Sequence, residues 1–109
     1  RILISRLDPV SVAAWQADPT REPPVLVDVR QEWERGICAI EGSQPMPMHE
    51  LQQRVGELPQ SRELVIVCHT GQRSAVVTTR LQQQGYHVPH LEGGVAAWAR
   101  TVDPAMRRY

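Results

Sequence analysis

The run Leu64-Val65-Ile66-Val67-Cys68 opens directly into the polar turn His69-Thr70-Gly71-Gln72-Arg73-Ser74, beyond which Val77, Thr78 and Leu81 continue on one helical face with Ser74. Four apolar residues read as a buried strand. The turn delivers the chain to a helix N-terminus, where unpaired amides and the macrodipole favour a negative charge. A thiolate at Cys68 is such a charge. With His69 and Arg73 close by in sequence, this cysteine is expected to ionise more easily than a free thiol and to act as a nucleophile at neutral pH. A free cysteine elsewhere is usually an inert, buried small side chain, so the strand, turn and helix around Cys68 carry the distinction.

Outward from this unit, strands and helices alternate. Towards the N-terminus, Ile2-Leu3-Ile4 suggests a short strand. Asp8 as N-cap and Pro9 at the first helical position then begin a helix over about Pro9 to Ala17, with Val10, Ala13, Ala14 and Ala17 at helical spacing. Pro19, Pro23 and Pro24 precede a strand at Val25-Leu26-Val27 that ends at Asp28-Val29-Arg30, followed by a helical turn at Glu32, Trp33 and Glu34. Gly36 to Pro47 reads as a loop with a brief strand near Gln44 to Met46. Leu51, Val55 and Leu58 predict a surface helix from about Met48 to Leu58, stopped by Pro59. After Cys68 a helix runs to Gln84 and stops at Gly85, a favoured C′ residue. His87-Val88-Pro89-His90-Leu91 predicts a peripheral strand, because proline cannot donate to a ladder, and Gly93-Gly94 opens a last helix carrying Val95, Ala97 and Trp98. This alternation implies a largely parallel sheet covered on both faces, with ligands bound beyond the carboxyl ends of the strands.

At 109 residues the chain is expected to form one domain, 1–109, able to fold without disulfides or metal. Twelve basic and twelve acidic residues leave no net charge, which gives no support to a nucleic-acid-binding face. The longest apolar runs are short and no secretory leader pattern precedes them, so no membrane partner and a cytoplasmic location are expected. Cys38 and Cys68 are expected to stay reduced. His49, His87 and His90 lack a ligand spacing with either cysteine, so no metal site is expected. The Gly93-Gly94 pair lacks the third glycine and acidic partner of a nucleotide fingerprint, and no cofactor is implied.

Four residues separate Cys68 from Arg73, one fewer than in the phosphatase loop that surrounds a phosphoryl group. A tighter ring of amides suits a single anionic sulfur instead. Together with Leu26-Val27-Asp28-Val29-Arg30 and Trp33-Glu34, Gly42-Ser43, Met46-Pro47-Met48, Val65 to Ser74, Gly85-Tyr86 and Leu91-Glu92-Gly93-Gly94-Val95-Ala96-Ala97-Trp98, this loop resembles that of a single-domain rhodanese, the thiosulfate sulfurtransferase family and its persulfide-carrying relatives. The resemblance runs along nearly the whole chain. It implies an α/β fold with a five-stranded, mainly parallel central sheet and helices on both faces, and a persulfide carried on Cys68. One departure is Cys38-Ala39-Ile40 before Gly42-Ser43, where many relatives have a glycine-histidine-isoleucine run before glycine-alanine; it bears on local loop structure more than on the cradle.

On this reading Cys68 attacks the outer sulfur of thiosulfate, releases sulfite and keeps a persulfide, which a thiol or cyanide then removes. Residues His69, Thr70, Gly71, Gln72, Arg73 and Ser74 are expected to hold the anionic sulfur or donor, Arg73 through its charge. His69 lowers the thiol's pKa, binds the donor or lies in solvent; the sequence leaves these open. Asp28 and Arg30 are expected to be structural supports in a buried network, paired with a carboxylate such as Glu34. Trp33 and Trp98 are expected in the core or a cleft wall, Trp15 against helix one, and Cys38 in packing. Two further functions remain open: a non-catalytic persulfide carrier or redox-sensing module loaded by a protein partner, and phosphatase or arsenate-reducing chemistry, against which the short loop argues.

Overall fold

Val25–Asp28 and Leu64–Val67 are buried along their whole length, and a strand buried on both faces needs a layer of helices on each side. The computed structural model describes residues 5–109 and contains both layers. In chain order the main elements are β1 (Arg6–Leu7), α1 (Pro9–Ala17), β2 (Val25–Asp28), α2 (Glu32–Ile37), β3 (Gln44–Pro45), α3 (Leu51–Arg54), β4 (Leu64–Val67), α4 (Gln72–Gln83), β5 (His90–Leu91) and α5 (Gly94–Thr101). The strands form one five-stranded sheet in the order β1-β5-β4-β2-β3, with every pair parallel. This is the architecture that the resemblance implied.

Strand alternation sorts the core into two layers. Val25 and Val27 of β2 and Leu64 and Ile66 of β4 pack with Leu51 of α3 and with Val77 and Leu81 of α4. Leu26, Val65 and Val67 point the other way, towards Val12 of α1 and Val95 and Trp98 of α5. Cys68 continues the parity of Leu64 and Ile66, which turns its thiol to the α4 layer. β2 and β4 are neighbours, yet β2 hands the chain outward to β3 while β4 hands it to β5 on the other side. Connections that diverge in this way open a crevice beyond the strand ends.

Several boundaries differ from expectation. Ile2-Leu3-Ile4 lies outside the described residues; a strand is found at Arg6–Leu7, paired with β5. α1 begins as predicted, with the Asp8 carboxylate accepting the Ser11 amide, but it buries Pro9 and Val12, not the stripe of Val10, Ala14 and Ala17. Val10 is exposed because the face of α1 turned to the α5 layer carries Val12 and Ala13. α2 continues through Gly36 to Ile37, so the loop starts at Cys38. The surface helix over Met48 to Leu58 is broken into a 3₁₀ turn at Met48–Glu50, α3, and a second 3₁₀ turn at Val55–Glu57. Gly56 weakens the helix there, and the tighter turn carries Leu58 into the core. The strand expected over residues 87–91 shortens to His90–Leu91 and lies inside the sheet, between β1 and β4. Pro89 precedes the ladder and serves it as an acceptor, taking the Ile66 amide on its carbonyl, so its missing N–H costs nothing. Among the described residues no helix is long and apolar enough to cross a membrane.

Candidate active site

The loop after β4 is shaped by two glycines. Gly71, at φ +98°, caps α4, and Gly94, at φ +61°, sits where a Cβ would run into the carbonyl oxygens of Cys68 and His69. Those carbonyls accept the Val95 and Ala96 amides at 2.8 and 2.9 Å, so the start of α5 clamps the cysteine's own backbone. Only glycine permits both the positive φ and the close approach. The thiol itself is 1% exposed.

Three donors or partners converge on Cys68 Sγ. The Gly71 amide donates at 3.1 Å and the Ser74 amide at 3.2 Å, and Ser74 Oγ lies at 3.3 Å. All belong to the first turn of the twelve-residue helix α4 or its cap, whose dipole adds partial positive charge at the sulfur. The amides of His69, Thr70, Gln72 and Arg73 make no bond to it; the cradle on the bare thiol is two amides and a hydroxyl. Such an arrangement stabilises charge on sulfur through main-chain and hydroxyl donors, with no cation bonded to it.

Arg73 points away from the thiol. Its guanidinium holds both oxygens of Glu34 at 2.6 Å, bridging α4 to α2 across the crevice. The bonds to Arg73 hold the Glu34 carboxyl down at about 2, against the opposing effect of burial. Because the folded value lies below the ordinary 4.5, this pair stabilises the fold above the ordinary value and is lost as pH falls towards 2. Glu34→Gln is expected to cost about 1–2 kcal/mol near neutral pH, discounted for the solvent that reaches Arg73, and the gap from the parent should narrow below pH 4.5 and close near about 2. Urea unfolding at several pH values measures it.

Asp28 and Arg30 lie behind this pair as a buried unit. Arg30, wholly buried, donates to Asp28 through Nε and Nη2, to the Cys38 carbonyl at 2.8 Å and to the Tyr109 hydroxyl at 2.8 Å. Burial works against its charge, but the bonds to Asp28 and Tyr109 outweigh it and keep the guanidinium firmly protonated. Arg35 adds a second cation to Asp28 at 2.8 Å. The carboxylate that pairs with Arg30 is Asp28 and not the expected Glu34, which lies beyond its reach because Arg73 and the Tyr109 hydroxyl hold it, the latter donating at 2.7 Å.

Tyr109 ties the remaining pieces together. Its ring stacks on His69 with centroids 3.9 Å apart and meets the edge of Trp33 at 6.1 Å. His69 is thus half-covered by an aromatic face, and Trp33 stays 62% exposed instead of entering the core. Trp98 is buried as expected, and Trp15 is half-buried against the α1 layer. Cys38 and Cys68 are both free thiols. Cys38 packs beside Arg30, whose Nη1 lies 3.9 Å from its sulfur. Among the described residues no three His, Cys, Asp or Glu side chains gather as metal ligands. Sequence reasoning missed Tyr109, which carries no local signal, and His90, whose Nδ1 lies 2.8 Å from Ser74 Oγ. His90 could have been found from its placement before Leu91, where a strand reaches the loop.

Residues 11–101 match the family described as Rhodanese-like domain. A sulfurtransferase of Allochromatium vinosum is 37% identical over 99 residues, covering 90% of this chain and 91% of that protein. YrkF of Bacillus subtilis, whose name marks it as a sulfur carrier protein, is 31% identical over 74 residues, covering 67% of this chain and 40% of that protein. A solved structure, the rhodanese-related protein of Thermoplasma volcanium, shares the fold at a TM-score of 0.80 and 22% identity, covering 90% of this chain and 93% of that one.

Proposed function

Because the chain belongs to the rhodanese-like domain family, whose relatives include sulfurtransferases, we propose that it moves sulfane sulfur from a donor such as thiosulfate to a thiol or cyanide through a persulfide on Cys68. One observation carries the reading: Cys68 Sγ accepts two main-chain amides at the start of α4. The thiolate attacks the outer sulfur of thiosulfate; a new S–S bond forms, the old one breaks, and its electron pair leaves with sulfite. An acceptor thiolate or cyanide then attacks the terminal sulfur, and the pair of the breaking bond returns to Cys68. In both half-reactions the sulfur at Cys68 is anionic at one end of the step, and the same amides and hydroxyl serve each time. No cofactor enters this scheme, and the partners are the small donor and acceptor or a protein persulfide.

Incubating reduced protein with thiosulfate should add about 32 Da, one sulfur atom, which cyanide removes as thiocyanate. A protein that gains no mass and makes no thiocyanate would overturn the thiosulfate reading. A second reading is favoured by the likeness to YrkF: a persulfide carrier or redox-sensing module that takes sulfur from a partner protein. It predicts loading from a protein persulfide and none from free thiosulfate.

A further inference from the structure

Cys68, Ser74 and His90 form a buried line whose far end, His90, the sulfur chemistry above leaves unused. Ser74 Oγ lies 3.3 Å from Cys68 Sγ and 2.8 Å from His90 Nδ1. The three residues are 1%, 0% and 6% exposed, so bulk water does not compete inside the line. A serine hydroxyl carries one proton. Its alternative acceptor is the Gly71 carbonyl, but that oxygen lies at 3.3 Å, so the shorter bond to His90 takes the proton when Nδ1 is free.

Cys68 Sγ already accepts amides from Gly71 and Ser74, and among the described residues Ser74 Oγ is the only acceptor for its S–H. Resting on the persulfide reading, we infer that His90 is a positioning residue that takes, through the Ser74 hydroxyl, the proton Cys68 must shed before it attacks sulfur. In that step the S–H bond breaks and its electron pair stays on sulfur. An O–H bond forms at Ser74 as the serine's own O–H bond breaks, and an N–H bond forms at His90 Nδ1. The product is a Cys68 thiolate and a His90 imidazolium. The line is then reversed: Nδ1–H donates to Oγ, whose proton donates to the thiolate, and every atom is paired in both states.

The proton has a way out. His90 lines a cleft of about 330 Å³ together with Arg6, Gly71 and Glu92. His90 Nε2 makes no hydrogen bond among the described residues, Nδ1 being the ring nitrogen that meets Ser74. The ring borders this cleft, and that is the route the relay requires for a proton leaving the line. The charged and titratable groups facing His90 are Arg6 on β1, Glu92 just past β5 and Cys68 at the end of β4. Burial and Arg6 keep the imidazole below its ordinary pKa, with Glu92 opposing.

The test is the rate of Cys68 alkylation by iodoacetamide in a Cys38→Ser background, followed by mass spectrometry from about pH 5 to about pH 9, a range that brackets the titration of histidine. His90→Gln is expected to slow alkylation at neutral pH at least about tenfold and to move the midpoint of the profile to higher pH. Ser74→Ala is expected to give the same displaced midpoint, and the double variant no further displacement. A His90→Gln profile superimposable on the parent's overturns the relay, as do single-variant displacements that simply add. If His90→Gln fails to fold, the imidazole ¹⁵N shifts of the unmutated protein decide. Nδ1 should change its protonation as Cys68 ionises or is alkylated, and a ring indifferent to the thiol overturns the inference. Loading with thiosulfate is scored separately. Its failure sinks the persulfide reading, while the alkylation profile still reports on the relay.

Discussion

Cys68→Ser is expected to lose sulfane-sulfur transfer entirely, at least about 10⁴-fold and down to the uncatalysed rate, while keeping its fold. A serine oxygen fits the place of the sulfur and accepts the same Gly71 and Ser74 amides, so the cost to stability should stay near 1 kcal/mol. An alcohol cannot take its place in the reaction. Its pKa lies far above that of a thiol, and oxygen bonded to sulfane sulfur is not a persulfide that an acceptor thiol can strip. The variant is checked by circular dichroism for the fold, by the mass of the thiosulfate-treated protein and by thiocyanate release. Cys38→Ser is the matched control. Cys38 meets Arg30 and not the α4 cradle, so this variant should load and discharge like the parent. Turnover surviving in Cys68→Ser and vanishing in Cys38→Ser would move the nucleophile to the other thiol and end the proposed mechanism.

What made Cys68 legible in the sequence was a coincidence of local signals. An apolar run, a glycine in a polar turn and a helical repeat each have short range, and together they place a thiol at a helix start. α1 was legible for the same reason, since Asp8 and Pro9 mark its first turn within a few residues. Where a feature depends on distant partners, the chain alone misdirects. Arg73 reads as a donor to the sulfur because it is five residues away, yet its hydrogen bonds go to Glu34, 39 residues distant in sequence, and only its charge reaches Cys68. Pro89 reads as a sheet-edge residue because of its missing donor, although its carbonyl is what the central strand needs. Val10 and Val12 are equally apolar, and only the docking of α1 on the α5 layer decides which one is buried. His69 could be read three ways because its actual partner, Tyr109, lies 40 residues further on.

Removing Arg30 is the largest structural perturbation that leaves the sulfur cradle untouched. Arg30→Met keeps the length and most of the apolar stem but withdraws the charge that pairs with buried Asp28, and the Cys38 carbonyl and Tyr109 hydroxyl lose their donors. A buried carboxylate left with only the partly exposed Arg35 is costly, so a loss of about 3 kcal/mol, the lower end for a broken buried pair, is expected. For a domain of this size that lowers Tm by roughly 12 °C or more, readable by calorimetry or thermal circular dichroism. Arg35 limits the damage, because it still reaches Asp28 at 2.8 Å from a partly exposed position. The physical cause can be separated from simple loss of packing. Adding Asp28→Leu to Arg30→Met removes the stranded charge together with its partner, and the double variant should be more stable than Arg30→Met alone. If the two losses instead added, the network would be acting through shape and not through charge. The ring of Tyr109 would then be the first contact to suspect, since Arg30 also lies 5.8 Å from its centre and helps to hold it over His69 beside the active loop.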